Sequence, residues 1–460
     1  MSELSEKPSS RIAIIGAGPA GMRAAETLLR AGLSAALIDE APLAGGQIYR
    51  QPPESLRRPA RQLYGSEARK ALALHESFSR LRTSIDYRPE TLVWGAREKR
   101  LLLSGPAGNT ELAFDKVILA TGAMDRIVPV PGWTLPGVYS LGGAQVVLKG
   151  QACLIGKRPV FIGTGPLLYL VAYQYCKAGA EPAAIVDTSD FTAQIGALPR
   201  LLSQPATLLR GIWYNAALVA RRVPVFRSAK PQKIEIRGRQ LVVTFKRNGK
   251  SFEIGGDAVG MGWGLKPETQ LAEILGCAFS FHAGSRWHLP RCDAMGRSST
   301  EHVYIAGDAS GIRGADAAEA AGELAAFAVL EDLGHTVPQT RRQRLLAHLA
   351  RAERFRSGLE RAFPYQVPEL AGDTVLCRCE NVTVEEVRAA ISSWQISELN
   401  QLKALTRCGM GRCQGRLCGS AAMEVLAAET GVEISDVGSI RGQIPLKPLI
   451  GARFQRKAAP

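Results

Sequence analysis

A glycine-rich loop near the start of the chain constrains the fold more than any other segment. The segment 11–15, Arg-Ile-Ala-Ile-Ile, reads as a strand, and residues 22–31 read as a helix rich in alanine and leucine. The loop between them is Gly16-Ala17-Gly18-Pro19-Ala20-Gly21. The first glycine permits a sharp turn, the second lets a pyrophosphate approach the backbone, and the third lets helix and strand pack closely. Free N–H groups at the helix start attract the phosphates. The segment predicts a dinucleotide site in an α/β fold.

An acidic residue follows this loop at the distance that such a site requires. Asp39 lies 23 residues after Gly16, at the end of a second predicted strand, 34–39. A carboxylate at this position accepts hydrogen bonds from the hydroxyls of an adenosine ribose. Its neighbour Glu40 offers an alternative carboxylate. Because strand, loop, helix and acid occur together, a dinucleotide site is favoured over a plain glycine turn.

A second strand–glycine–helix pattern begins 147 residues after the first. Its loop contains Gly163 and Gly165, and its two strands are predicted at 159–162 and 182–187. Leu168 replaces the third glycine, and its side chain would hold the helix away from the strand where NAD(P) requires close packing. The repeat therefore predicts a second Rossmann-like domain whose nicotinamide site is degenerate or serves another purpose.

Three further segments resemble the two-dinucleotide-binding-domain flavoproteins, the family of glutathione and thioredoxin reductases. They are Gly45-Gly46-Gln47, Ile118-Leu119-Ala120-Thr121-Gly122 and Ile305-Ala306-Gly307-Asp308. The resemblance implies that the first loop binds the pyrophosphate of FAD, that the Thr-Gly segment lies beside the cofactor and that the Gly-Asp segment meets its ribityl phosphate. The cofactor-binding residues that it implies are Gly16, Ala17, Gly18, Pro19, Ala20, Gly21, Asp39, Glu40, Gly46, Gln47, Thr121, Gly122, Gly307 and Asp308.

The same resemblance implies an FAD domain that is discontinuous in sequence. It would comprise residues 1–145 and 266–335, with a degenerate NAD(P)-type domain at 146–265, a linker helix at 336–372 and a C-terminal domain at 373–460. Neither the region after the first acid nor the inserted domain contains a close cysteine pair, so we expect no redox-active disulfide relay. The flavin then needs another electron partner.

The nine cysteines of the chain are unevenly distributed. Five of them lie between Cys377 and Cys418, whereas the other four are scattered. Four soft thiolates select zinc or an iron–sulfur cluster. The single residue between Cys377 and Cys379 is a tighter spacing than that of a zinc hairpin. The pattern favours a cluster with two irons, and structural zinc is the alternative.

This tail resembles the 2Fe-2S domain of bacterioferritin-associated ferredoxin, which also occurs in anaerobic glycerol-3-phosphate dehydrogenase. The likeness lies in residues 406–419, Thr-Arg-Cys-Gly-Met-Gly-Arg-Cys-Gln-Gly-Arg-Leu-Cys-Gly. The resemblance implies a small α-rich domain with four ligands, Cys377, Cys379, Cys413 and Cys418. Relatives need not have cysteine at position 408, so we expect Cys408 to be an outer residue. The alternative is that Cys408 takes the place of one of these ligands.

Over its whole length the sequence resembles the large α-type subunits of heteromeric amine dehydrogenases. This group includes the opine (octopine and nopaline) oxidising enzymes, D-hydroxyproline dehydrogenase, the second subunit of hydrogen cyanide synthase and, more distantly, heterotetrameric sarcosine oxidase. Segments 38–50, 120–138 and 163–169 carry the likeness. The resemblance implies a relay subunit of a hetero-oligomer, with FAD and a 2Fe-2S cluster, whose partner is a smaller amine-oxidising flavoprotein subunit. It also allows a small ferredoxin-like subunit and an FMN shared with a partner subunit.

No catalytic residue is assigned to this chain. Its six histidines are scattered, and none lies in a recognisable catalytic frame. This fits a relay whose amine-oxidising residues belong to another polypeptide. The alternative enzyme is a stand-alone NAD(P)H-dependent ferredoxin-type reductase. The alternative without enzymatic activity is a structural or sensor protein that holds zinc or an iron–sulfur cluster and has a vestigial flavin fold.

The formal charge of +15 is spread along the chain. No aromatic residues alternate with the basic ones and no nucleic-acid motif occurs, so we expect no nucleic-acid binding. The uncharged runs 127–148 and 159–176 contain proline and glycine and do not read as transmembrane segments. We expect a cytoplasmic protein, and peripheral attachment to the inner membrane stays open. A basic amphipathic helix at 341–363 is expected to link the domains and to face a more acidic subunit.

Overall fold

The computed structural model describes residues 11–56 and 58–449, so the predicted domain ranges extend beyond it at 1–10 and 450–460. The strands are β1 (Ile12–Ile15), β2 (Ala35–Ile38), β3 (Asp86–Arg88), β4 (Leu92–Arg97), β5 (Arg100–Gly105), β6 (Gly108–Ala113), β7 (Lys116–Leu119), β8 (Ala123–Asp125), β9 (Val138–Ser140), β10 (Val160–Thr164), β11 (Ala184–Asp187), β12 (Val225–Phe226), β13 (Lys230–Arg237), β14 (Gln240–Arg247), β15 (Lys250–Gly256), β16 (Val259–Trp263), β17 (Leu265–Pro267), β18 (Phe279–His282), β19 (Trp287–Pro290), β20 (Val303–Ile305), β21 (Val375–Cys377) and β22 (Val382–Thr383). The α-helices are α1 (Pro19–Arg30), α2 (Ala60–Tyr64), α3 (Ala68–Leu81), α4 (Leu141–Gln151), α5 (Pro166–Lys177), α6 (Phe191–Leu201), α7 (Pro205–Ala220), α8 (Gln270–Ile274), α9 (Ala315–Asp332), α10 (Gln339–Ala362), α11 (Val384–Trp394), α12 (Leu399–Thr406) and α13 (Gly419–Thr430).

Five parallel strands form the first sheet, in the order β20–β7–β1–β2–β3. The apolar strand β1 lies at its centre and is buried along its whole length. Helices α1 and α9 pack together on one face, and the antiparallel strands β4–β5–β6 cover the other. Gly322 permits the close approach of α9, because a Cβ there would lie 2.0 Å from the Ala20 carbonyl oxygen. Since β20 returns to this sheet after the inserted segment, the first sheet is built from two separate parts of the chain.

The second sheet is also parallel, in the order β12–β11–β10–β16–β9. Helices α4, α5 and α7 pack on one face, and the antiparallel strands β13–β14–β15 pack on the other. Strand β9 belongs to this sheet although it precedes the predicted boundary at 146. The second sheet therefore begins earlier in the chain than predicted, because a three-residue strand has no periodicity that a sequence can reveal. The antiparallel pair β8–β17 connects the two domains.

Helix α10 confirms the predicted helix at 341–363. Leu345 packs in the core beside α9, and Phe355 packs against α6. Arg341 pairs with Glu323 of α9 at 2.6 Å, so part of the basic surface predicted for a partner is used within the chain. Among the described residues, no helix combines the length and apolar character needed to cross a membrane.

The C-terminal domain has a core of its own. The strands β21 and β22 and the helices α11 to α13 enclose Leu376, Val387, Leu402 and Leu426. Helix α11 begins with a capping box, in which the side chains of Thr383 and Glu386 reciprocally bind backbone N–H groups. Helix α13 begins directly after Cys418, so its positive end faces the cysteine region.

Candidate functional site

The first glycine loop lies at the carboxyl end of β1 and has no room for a side chain at its first and third glycines. Gly16 has a φ of +105°, and a Cβ there would lie 2.3 Å from the Ala120 carbonyl oxygen. A Cβ on Gly21 would lie 1.8 Å from the Gly16 carbonyl oxygen. Gly18 precedes α1 without a side-chain cap, which leaves N–H groups of the first turn to bind a ligand. The loop fits the cradle that a pyrophosphate requires.

The segment that contains Gly46 and Gln47 folds back onto this loop. The Gly45 N–H donates to the Ala17 carbonyl oxygen at 2.8 Å. Gly46 has a φ of +60°, and a Cβ there would lie 2.9 Å from the Gly18 Cα. Gln47 is exposed beside this contact. The family resemblance implied that Gly46 and Gln47 bind the same cofactor as the loop, and the structure places Gly46 against Gly18.

Of the two candidate acids, only Asp39 faces the loop. Its carboxylate accepts hydrogen bonds from the N–H groups of Ala17 at 2.5 Å and Ala41 at 2.7 Å. Burial raises the pKa of Asp39, and these two hydrogen bonds oppose the shift. Glu40 is exposed and pairs instead with Lys447 at 2.5 Å. Asp39 is therefore the candidate acid that contacts the glycine loop.

The Thr-Gly and Gly-Asp segments complete the same edge of the sheet. Thr121 and Gly122 follow β7, and the Thr121 hydroxyl donates to the Glu268 carbonyl oxygen at 2.6 Å. Gly307 follows β20, and a Cβ there would lie 2.8 Å from the Ala20 Cβ. The Asp308 carboxylate accepts from the Arg313 N–H at 3.2 Å, and burial raises its pKa. All four predicted segments thus meet at the carboxyl edge of the first sheet.

The corresponding acid of the second Rossmann-like unit is closed off by its own chain. Asp187 ends β11 and is completely buried. It accepts hydrogen bonds from the Tyr169 hydroxyl at 2.6 Å, the Ser189 hydroxyl at 2.8 Å and the Ser189 N–H at 2.9 Å. Leu168, at the third glycine position, is also completely buried. A ribose could reach Asp187 only by displacing these donors.

The five clustered cysteines come together in the C-terminal domain. The sulfur atoms of Cys377, Cys408 and Cys418 all lie within 4.8 Å of one another. Hydrogen bonds from the Cys408 and Cys418 thiols lower the pKa of Cys377 to about 2 and raise the pKa of both donors. Cys379 accepts a hydrogen bond from the Cys413 N–H. Cys408, expected to be an outer residue, therefore lies among the predicted ligands.

Glycines allow the chain to close tightly around these sulfur atoms. A Cβ on Gly411 would lie 2.2 Å from the Cys379 Cβ. Gly409 and Gly415 have φ values of +92° and +74°, and both pack against the Ile440 side chain. Ile440 thus packs on the glycine-rich loop. A buried group of thiolates with backbone N–H donors suits an anionic iron–sulfur cluster.

The loop between Cys413 and Cys418 is attached to the first domain by residues that the sequence analysis missed. Arg416 pairs with Glu268 at 2.7 Å, and its guanidinium also donates to the Leu446 carbonyl oxygen at 2.6 Å. The Gln270 side chain donates to the Gln414 carbonyl oxygen at 2.7 Å. Glu268 and Gln270 lie more than 140 positions before their partners in the loop, so no local pattern could reveal these contacts.

A buried cation lies in the same interface. Lys266 is 2% exposed, and its Nζ lies 4.3 Å from the centroid of the Trp287 ring. Burial lowers the pKa of Lys266 to about 8. Its side chain lines a small cavity together with Gln414 and Gly419 of the cysteine region. The one signal in the sequence is that Lys266 ends an uncharged run, 258–265.

Two family models match the sequence. Residues 10–322 match the family described as pyridine nucleotide-disulphide oxidoreductase, and residues 375–428 match the BFD-like [2Fe-2S] binding domain. The second match includes all five clustered cysteines and favours a 2Fe-2S cluster over zinc. The chain therefore combines an FAD-binding flavoprotein fold with a 2Fe-2S domain.

Known proteins are similar to nearly the whole chain. An opine oxidase subunit from Rhizobium meliloti is 38% identical, and the match covers 95% of this chain and 86% of that protein. Hydrogen cyanide synthase subunit HcnB from Pseudomonas aeruginosa is 34% identical, with 97% and 98% covered. The crystal structure of L-proline dehydrogenase from P. horikoshii superposes with a TM-score of 0.68 at 20% identity, covering 96% of this chain and 78% of that chain, which shows a shared fold.

Proposed function

Because the chain belongs to the family that contains these opine oxidase and hydrogen cyanide synthase subunits, we propose that it is the electron-relay subunit of a heteromeric dehydrogenase. The chain is a flavin-dependent oxidoreductase subunit. The proposed substrate is an amine derived from an amino acid, such as an opine or hydroxyproline. A smaller flavoprotein subunit would oxidise it at the carbon beside the nitrogen, and this chain would receive the electrons.

The observation that carries this proposal is the contact between the two predicted cofactor sites. The Thr121 hydroxyl binds the Glu268 carbonyl oxygen, and the Glu268 carboxylate binds Arg416, which lies between Cys413 and Cys418. When bound, FAD accepts electrons in pairs and a 2Fe-2S cluster passes them on singly. The contacts hold the Thr-Gly segment and the cysteine loop against each other. A relay requires such fixed proximity.

The residue assignments form part of the proposal. The first glycine loop, Asp39, Gly46, the Thr-Gly segment and Asp308 would hold FAD. The cluster ligands would be Cys377, Cys379, Cys413 and Cys418, with Cys408 beside them. An FMN shared with the partner and a small ferredoxin-like subunit stay predictions.

Three of the described histidines hydrogen-bond to groups of the fold itself, which supports an amine-oxidising site in another subunit. His75 hydrogen-bonds to the Tyr49 carbonyl oxygen, His288 to the Ser435 carbonyl oxygen, and His282 to Ser285. Burial lowers the pKa of His75 and of His288, so both are neutral near pH 7. Neutral, backbone-bound imidazoles of this kind position segments of the fold.

The Asp187 carboxylate is buried and already hydrogen-bonded within the chain. We therefore predict that nicotinamide nucleotides do not reduce the flavin of this chain. We expect NADH and NADPH, mixed anaerobically with the purified chain, to leave the flavin absorbance unchanged, while dithionite bleaches it. Breaking three buried hydrogen bonds to admit a ribose would cost on the order of 3 kcal/mol. Rapid bleaching by either nucleotide would instead support a stand-alone NAD(P)H-dependent reductase.

Co-expression with the neighbouring genes tests the proposed division of labour. The purified complex and the purified chain are compared in a dye-reduction screen over octopine, nopaline, hydroxyproline isomers, sarcosine and glycine. We expect the complex to reduce the dye with one of these amines and the chain alone to reduce it with none. Amine oxidation by the chain alone would overturn the proposal.

A further inference from the structure

Helices α6 and α7 carry an apolar surface that faces solvent. Eight of the 17 exposed large apolar side chains among the described residues lie within 191–219. We call them the outer stripe, and their exposed fractions run from 40% to 66%. The outer stripe consists of Phe191, Ile195, Leu198, Leu202, Leu209, Ile212, Trp213 and Val219.

The spacing of these residues follows the turns of both helices. Phe191, Ile195, Leu198 and Leu202 are separated by steps of four, three and four, which places them on one side of α6 and its end. In α7, Ile212 and Trp213 lie three and four residues after Leu209, so these side chains likewise share one side of the helix. The outer stripe is thus a continuous apolar face on each helix rather than a scatter of single side chains.

The inner sides of the two helices are already packed against the fold. Ala197 and Leu201 of α6 contact the core formed with Phe355 of α10. Tyr214 and Leu218 of α7 are buried in the core of the second domain. The outer stripe therefore lies outside both of these cores, and clustered exposed apolar side chains mark interaction sites.

The charged residues of the segment that carries the outer stripe all have one sign. Residues 191–228 contain no Asp or Glu, and their five charged residues are Arg200, Arg210, Arg221, Arg222 and Arg227. Arg210 pairs with Glu67 of the first domain. Arg200, Arg221 and Arg222 are exposed, and within the described part of the chain they form no ion pair. A symmetric contact between two copies would bring these arginines together, so the charges favour a different polypeptide.

We propose that the outer stripe is the docking surface for the smaller flavoprotein subunit of the heteromer, which would present an apolar face bordered by Asp and Glu. This inference rests on the proposed function, because it takes the occupant from the heteromeric assembly. Aromatic and aliphatic anchors within an arginine rim are the composition expected of a subunit interface. The surface lies on two helices whose inner faces are packed, so it is preformed.

The test compares Leu209→Glu/Trp213→Glu with the control variant Leu72→Glu/Trp394→Glu, which changes residues of similar exposure elsewhere on the chain. Each tagged chain is co-expressed with the neighbouring genes, and its complex with the small flavoprotein is measured by affinity purification and light scattering. We expect the stripe variant to bind the flavoprotein about 100-fold more weakly. The control is expected to assemble like the wild type, and both variants should keep their FAD and iron spectra.

Each other outcome overturns the inference in a recognisable way. If the stripe variant assembles normally, the inference fails while the proposed function stands. If the wild type binds phosphatidylglycerol vesicles, and the stripe variant assembles normally but no longer binds them, the outer stripe contacts a membrane instead. If only self-association of the chain is lost, the occupant is a second copy. If the wild type binds no flavoprotein at all, both the inference and the proposed function fail.

Discussion

We expect Gly21→Val to yield a protein that carries no FAD. A Cβ at this position would lie 1.8 Å from the Gly16 carbonyl oxygen, so α1 must move away from β1. Overpacking against a backbone atom costs about 3 kcal/mol or more, since no side chain can rotate to relieve it. The displaced helix start no longer directs its N–H groups at the pyrophosphate. The ratio of flavin to protein absorbance and the thermal midpoint measure both effects.

Gly196→Ala is the matched control for this substitution. Gly196 lies inside α6, and a Cβ there has no atom within 4 Å. An alanine stabilises a helix interior by about 0.5–1 kcal/mol relative to glycine, so the control should keep its flavin and should keep or slightly raise its thermal midpoint. Unchanged flavin content in Gly21→Val would contradict the assignment of this loop.

The second large effect concerns the cysteines. We expect Cys413→Ser to lose the visible and EPR signals of the cluster and nearly all of its iron, because a serine hydroxyl does not replace a thiolate ligand. Cys408→Ser should keep two irons per chain. Both substitutions remove one sulfur atom from the same group, so each serves as the control for the other.

The two serine substitutions distinguish between the candidate ligands because the structure places Cys408 close to two predicted ligands. Its sulfur atom lies within 4.8 Å of those of Cys377 and Cys418. If Cys408→Ser lost the cluster and Cys413→Ser kept it, Cys408 would be the ligand. Zinc without iron in the wild type would contradict the cluster itself.

The sequence was most informative where the chemistry is local. The first loop and Asp39 lie within one strand–helix–strand unit, so spacing alone predicted their meeting. The return of Gly307 and Asp308 required the family resemblance, because no local pattern places residue 305 beside residue 119. Likewise, the approach of Gly46 to Gly18 depends on turns that composition does not specify.

Features formed by distant residues escaped prediction. The pair Arg416–Glu268 and the burial of Lys266 depend on how the C-terminal domain packs on the first. The second sheet begins before the predicted boundary at 146, at the short strand β9. Its three residues are too few to show a periodicity. In α7, sequence alone does not distinguish the buried Tyr214 from its exposed neighbour Trp213, because both are aromatic.

The proposed relay of electrons through this chain, from an amine oxidised in another subunit, is tested most directly by anaerobic EPR of the 2Fe-2S cluster. The spectrum is recorded after addition of the amine that gives the highest rate in the dye screen. We predict that the signal of the reduced cluster appears in the complete complex and not in the isolated chain. The signal should also be absent from a complex that contains Cys413→Ser. Reduction of the cluster by the amine in the isolated chain, or an oxidised cluster in a complex that is oxidising the amine, would contradict the relay.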